Sequence, residues 1–265
     1  GISYYSMGAI LAVALGPFIG IFLIHHADFR MIFAFTSLLA SASFAMSFLV
    51  NKPVYEKPAP EPSGAARRFQ ISDYLEFKAI PISIIILVIG FSYSGLLTFI
   101  SLYAKEIHLE KAASFYFLVY SIAVFVSRPF SGRLMDIRGA NFVVYPCLVL
   151  YALGMLLFSQ AAQGITLLAA AVLLALGYGS FISCAQAISI RGVPPHRMGL
   201  AITTFFIFVD MGFGVGPYVL GALVPLVGYR GLYVLMTFVI LASIPLYYFL
   251  LGKKWSGRPA QGPEP

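Results

Sequence analysis

D-M-G-F-G-V-G-P-Y-V-L-G, Asp210 to Gly221, sets one carboxylate at the head of a run that is otherwise apolar and small. Two hundred positions earlier L-G-P-F-I-G runs from Leu15 to Gly20, and the two stretches align without a gap through Arg30 and Arg230. Gly16 and Pro17 match Gly216 and Pro217, Phe18 matches Tyr218, Leu23 matches Leu223, and Ala42-Ser43 matches Ala242-Ser243. The register reads as an internal duplication. The lone acid in the later copy is the first candidate for function.

Around these stretches the composition is that of a membrane protein: 60% of residues are apolar, 10% are charged and the mean hydropathy is +0.90. The apolar residues fall into eight blocks, 4–24, 30–49, 80–103, 113–130, 143–159, 165–190, 199–226 and 229–251. Each is long enough to cross a hydrocarbon core of about 30 Å as a helix. The fold class is therefore an all-α polytopic membrane protein. The net charge of +7 is carried between the blocks rather than on one face, which fits lipid headgroups and orientation and argues against nucleic acid. With the start placed in the cytoplasm, thirteen of the seventeen Lys and Arg residues fall on the inner side and only Arg30, Lys105, Lys111 and Arg230 outside. That bias puts both ends of the chain in the cytoplasm.

The first block carries Gly8, Ala12, Gly16 and Gly20 at intervals of four, a stripe that lets a neighbouring backbone approach closely, with Pro17 inviting a bend. Residues 51–79 break the apolar pattern with Pro53, Pro58, Pro60 and Pro62 among charges, the composition of a flexible cytoplasmic linker. Its later part, Phe69 to Phe77, has the alternation of a short helix lying on the membrane. In the third block the hydroxyls of Ser92, Tyr93 and Ser94 either face a water-filled cavity or bond back to the preceding turn. Tyr93, with Phe91 and Phe99, also offers aromatic walls for an amphiphilic ligand. Ser127 to Ala140, S-R-P-F-S-G-R-L-M-D-I-R-G-A, reads as a short loop with a tight turn, in which Arg128, Arg133 and Arg138 can pair with Asp136. Gln186, Ser183 and Ser189 give the sixth block a polar stripe. Cys147 and Cys184 lack metal-ligand spacing and read as small core residues, and adjacent His25 and His26 point about 100° apart, so no metal site is expected. No nucleophile with a base, no ligand cluster and no phosphate loop stands in a plausible setting, and an enzyme is not expected.

The repeated G-P element, the Pro-rich linker and the G-x-L-x-D-x-x-G turn at Gly132, Leu134, Asp136 and Gly139 together resemble the major facilitator superfamily, and within it the bacterial twelve-span drug:proton antiporters. The resemblance implies that this is a partial chain holding spans five to twelve. Residues 1–50 would be the last two helices of the N-terminal six-helix bundle, 51–79 the linker, 80–251 the C-terminal bundle and 252–265 a cytoplasmic tail. It implies alternating access about a midplane site, with the helices of Gly16, Pro17 and Gly20 and of Gly212, Gly216, Pro217 and Gly221 at the bundle interface. It also implies a gating turn of Arg128, Gly132, Arg133, Asp136 and Gly139, whose charge pairs form in one state and break in the other. The sequence departs from that pattern at Ile137, Ala140 and Ile21.

Asp210 lies eleven residues into its block, about 16 Å at helical rise, near the middle of the bilayer. A carboxylate there costs about 2.5–3.5 kcal/mol on insertion scales, so the neutral acid is favoured unless water or a cation reaches it. Asp210 is thus expected to carry a coupling proton or bind a cationic substrate, with Tyr93 and Gln186 beside the pathway. A neutral helix-to-helix hydrogen bond is the structural alternative. The expected function is proton-driven export of small amphiphilic or cationic compounds across the bacterial inner membrane by a protein that is monomeric at full length and needs no cofactor. Export of one specific metabolite, a metallophore or a sugar, and a non-transporting membrane remnant or sensor are the alternatives.

Overall fold

The computed structural model describes residues 29–48 and 73–253, and among these every regular element is helical. Helix α1, Phe29–Ser47, buries none of its span. Helix α2 is Ile80–Glu106, with proline in its first turn where the missing N–H has no helical partner to lose. It is followed by α3, Glu110–Arg138, and α4, Ala140–Ser159. Helix α5, Gly164–Ile190, carries a π turn at Ala175–Gly179. After a 3-10 turn at Pro195–Arg197, a helical stretch Met198–Tyr247 is broken at Gly228, whose φ of 68° and ψ of 172° only glycine adopts cheaply. The break separates α6, 198–227, from α7, which starts at 229 and ends in a π turn at Tyr248–Gly252. Among the described residues six stretches are long and apolar enough to cross a membrane, and the last of them holds two of the expected spans. The expected span 4–24 lies outside the described residues, as do most of the linker and the tail.

Helix α2 is the centre of the bundle. It buries 61% of its membrane-length window, against 28% for α3, whose Phe115, Ile122, Phe125, Val126 and Phe130 are exposed. The contact that holds α6 to α2 runs through glycine. A Cβ on Gly212 would meet the Leu87 carbonyl oxygen at 2.7 Å and the Phe91 nitrogen at 2.9 Å, and one on Gly216 would run into the Ser94 hydroxyl. These residues are one turn apart, so they form a single flat strip against which α2 lies backbone to backbone. Helices α4 and α5 cross in the same way, with Gly177 against the Tyr151 backbone and Gly154 against Leu174. The resemblance set the glycines of α6 at the interface between two bundles; in the structure Gly212 and Gly216 pack against α2.

Polar contacts tie both ends of α4. The Tyr103 hydroxyl donates to the carbonyls of Phe158 and Ser159 at 3.1 and 3.0 Å, and Arg230 donates to the Ala161 carbonyl at 3.1 Å. At the opposite end the Asn141 amide donates to the Gly252 carbonyl at 3.0 Å and accepts from the Tyr247 hydroxyl at 2.9 Å.

Two local readings are corrected. The stretch from Ser127 is not a loop: α3 continues through Pro129, Gly132 and Asp136 to Arg138, and the chain turns only at Gly139, where φ is 86°. A lone proline deprives a long helix of one donor, which does not end it when the flanking residues still pack. The short helix expected over 69–77 does not reach its expected end: 69–72 lie outside the described residues, Asp73 stands in a 3-10 turn, and 74–79 is turn and irregular backbone.

The glycine strip gives a graded prediction. Gly216→Ala in the full-length protein lowers stability by about 1–3 kcal/mol through overpacking. Gly214→Ala, with nothing within 4 Å of an added Cβ, is neutral or slightly stabilising. Thermal unfolding of both variants in detergent checks the ordering.

Candidate functional site

Asp210 sits twelve residues past Met198, about 18 Å along the helix. At 100° per residue it lies about 200° around α6 from Gly212, so the glycine strip that seals against α2 turns Asp210 away from the bundle. Its side chain is exposed, on a face that also carries Phe206, Ile207, Met211, Val215 and Tyr218. It takes part in no ion pair among the described residues.

Tyr93 is placed on the opposite side of that seal. It is 5% exposed and stacks on Tyr178 of the α5 π turn, ring centroids 3.8 Å apart. Tyr120 of α3 and Phe213 of α6 complete the cluster at 6.0 and 6.1 Å. Four helices therefore meet on one aromatic core, which in this structure is closed. Of the two readings of the α2 hydroxyls, the structure supports bonding back: Ser92 donates to the Val88 carbonyl and Ser94 to that of Phe91. Gln186 is half-buried, and its main-chain carbonyl accepts from the Ser189 hydroxyl at 2.7 Å.

The residues of the expected gating turn all lie on the last three turns of α3 or at its end. Arg128 and Asp136 are eight residues apart on one continuous helix, about 12 Å of rise, and no ion pair joins them here. Gly132 has open space beside it, and Gly139 ends the helix. Arg133 and Asp136 are exposed, and Arg138 lies over the Phe142 ring at 4.7 Å. Pro217 and Gly221 lie about 140° and 180° around α6 from Gly212 and so off the strip, with Phe99 3.6 Å from where a Gly221 Cβ would stand. Gly16, Pro17 and Gly20 lie outside the described residues. Cys147 and Cys184 are free and buried, and no group of three metal-ligating side chains occurs among the described residues.

Two features were not anticipated. One is Tyr178 on its π turn, flanked by Gly177 and Gly179 in A-L-G-Y-G. The other is a clasp. Arg197, in the turn before α6, donates to Glu76 at 2.6 Å, while the Glu76 backbone N–H donates to the Thr204 hydroxyl at 2.9 Å and the Lys78 ammonium to the Gly192 carbonyl at 2.8 Å. Beneath it Ala79, Val193 and Ala201 form a small core of their own with Ile190. The end of the linker is thereby fixed to the α5–α6 connection. Burial alone would raise the Glu76 carboxyl, but the hydrogen bonds from Arg197 and Lys78 and their positive charges together hold it below its ordinary value of 4.5.

The sequence model of the Major Facilitator Superfamily matches residues 1–164 and 111–265, which together cover the whole chain. The chain is also similar to an uncharacterized MFS-type transporter of Methanocaldococcus jannaschii, 22% identical over 234 residues that make up 86% of this chain. It spans about 60% of the length of that curated relative.

Because the folded value of Glu76 is depressed, its contribution to stability is complete above about pH 4.5 and is lost as the pH falls through the lowered value. Glu76→Gln is therefore less stable than the parent at pH 7, by about 1 kcal/mol for a partly exposed charge-assisted pair. The difference closes as the pH falls from about 4.5 through the lowered value, as paired melts at neutral and acid pH will show.

Proposed function

We propose that this chain, which belongs to the major facilitator superfamily, supplies spans five to twelve of a proton-coupled exporter of small amphiphilic or cationic compounds working by alternating access. Membership carries the coarser statement, a multi-pass membrane transporter. Coupling, direction and substrate class rest on the residues, and on Asp210 above all. Among the described residues it is the only acid more than two turns from either end of its helix.

On this reading Asp210 works because of where the glycine strip turns it. A carboxylate facing a water-filled pathway ionises and attracts a cation; the same carboxylate closed off in an apolar phase holds a proton. One side chain then carries either cargo, and rocking of the two bundles exposes it to each side of the membrane in turn. Tyr93, Tyr178, Tyr120 and Phe213 would offer flat apolar surface to an amphiphile once the bundles part. Gln186 would add an uncharged polar contact. The gating turn of Arg128, Gly132, Arg133, Asp136 and Gly139 would find its partners across the bundle interface, since α3 supplies none along its own length.

The excess of Lys and Arg between alternate spans supports a bacterial inner-membrane setting with both ends of this chain cytoplasmic. On that orientation the clasp of Glu76 and Arg197 sits at the cytoplasmic end of α6, where the linker from the first bundle arrives. The partners are then protons, a small-molecule substrate and the bilayer, acting in a monomeric full-length protein.

The reading is tested with the full-length protein in proteoliposomes under an imposed pH gradient. Asp210→Asn is expected to reduce proton-driven accumulation of a cationic dye to background while leaving downhill dye exchange measurable. A folded variant that still accumulates dye at the parental rate would remove the coupling role.

A further inference from the structure

The clasp at the start of α6 holds more than the end of the linker. Glu76 reaches nearly two turns into α6, where its backbone N–H meets the Thr204 hydroxyl, while its carboxylate takes Arg197 ahead of the helix and Lys78 takes the Gly192 carbonyl across the connection. Thr204 is satisfied in both senses, since its hydroxyl donates onward to the Leu200 carbonyl at 2.8 Å. The same segment runs straight into α2, because the Glu76 carbonyl accepts the Ala79 N–H at 3.0 Å just before the helix begins at Ile80. The starts of α2 and α6 are therefore tied together.

Glu76 is 6% exposed, and withdrawing a carboxylate from water offsets most of what its pairing gains, so the best-attested use of such a pair is to fix one geometry. The carboxyl, held below 4.5, keeps its charge throughout the neutral range. Beneath it Ala79, Val193 and Ala201 pack as a core separate from that of the bundle. Helices α2 and α6 then meet a second time at the glycine strip, where Gly212 lies on the backbone of Leu87 and Phe91. Asp210 stands between the two attachments, six residues after Thr204 and two before Gly212. A helix held at both points has one tilt and one rotation.

We infer that Glu76, clasped to Arg197 and Thr204, is a positioning residue for Asp210: it makes α2 and the first half of α6 one rigid body that moves with the linker. The clasp stays closed through the cycle. Its consequence for transport rests on the proposed role of Asp210, whereas the rigid body does not.

The experiment uses full-length protein with Cys147 and Cys184 replaced by Ala. That parent is compared with Glu76→Gln, Thr204→Val, Arg197→Lys, and Glu76→Cys with Arg197→Cys joined by a short bis-methanethiosulfonate that a reductant removes. Thermal melts establish that each variant is folded. Hydrogen–deuterium exchange reads the rigid body: amide protection over 205–211 is expected to fall about tenfold in Glu76→Gln and in the reduced cysteine pair, and less in Thr204→Val. It stays parental in Arg197→Lys and in the joined pair. In proteoliposomes Glu76→Gln is expected to lower kcat for dye accumulation about tenfold at unchanged KM, and the joined pair to restore it. Loss of protection confined to 192–204, or no loss, overturns the inference. A joined pair that stops transport overturns it as well, since the clasp is then a gate that has to open. A parent that moves no dye in either direction removes the transport reading instead, and exchange over 205–211 still decides the rigid body. Should Glu76→Gln fail to fold, Thr204→Val decides, and parental protection in that variant overturns the inference.

Discussion

The rest of the structure depends on the backbone contact between α2 and α6. With no side chain at Gly212 or Gly216, the carbonyl of Leu87 and the hydroxyl of Ser94 occupy space that any Cβ would claim. In a lipid phase the hydrophobic effect does not drive helices together, so this closeness of approach and its dispersion contacts carry the association. The contact also fixes rotation about the helix axis. Once Gly212 and Gly216 face α2, the geometry of 3.6 residues per turn sends Asp210 outward and brings Phe213 toward Tyr93. One steric requirement therefore separates an aromatic core on one side of α6 from a charged, exposed face on the other.

The remaining polar groups divide by whether the bundle satisfies them. Ser92, Ser94, Ser127, Ser189 and Thr204 return their hydroxyl protons to carbonyls of the preceding turn, which removes them as ligands and leaves the helices intact. Tyr103, Asn141 and Arg230 spend their donors on the open carbonyls at helix ends. Among the described residues, Asp210 and Arg128 are charges away from the helix ends that this accounting leaves over. Both sit well inside long helices, and intramembrane charges without an internal partner point to function rather than to stability.

Much of this was legible in the sequence. Among the described residues apolar block length located the helices to within about three residues, except the end of α3, which runs on past 130 to Arg138, and the small residues of D-M-G-F-G-V-G-P marked α6 as a close-contact helix, because spacing of four is a local property. What that spacing does not contain is the identity of the partner, which in the structure is α2. Ser127 to Arg138 was misread because Pro129, Gly132 and Asp136 are turn formers in water, whereas a long membrane helix tolerates all three. The clasp was invisible for another reason. Glu76 and Arg197 are 121 residues apart, and the linker composition around Glu76 speaks only for its local propensity. The stack of Tyr93 on Tyr178 likewise depends on how α2 and α5 are brought together, which no local pattern records.

On the proposed function the face of α6 bearing Asp210 lines a water-filled pathway rather than lipid. The direct measurement is thiol accessibility in the full-length protein with Cys147 and Cys184 replaced by Ala, comparing Asp210→Cys with Phe249→Cys on the exposed face of α7. The account predicts that Asp210→Cys reacts with a charged, membrane-impermeant thiol reagent at a rate that changes with the pH gradient, while Phe249→Cys does not react. If Asp210→Cys is reached only by a reagent dissolved in the bilayer, the face is lipid-exposed and the account fails.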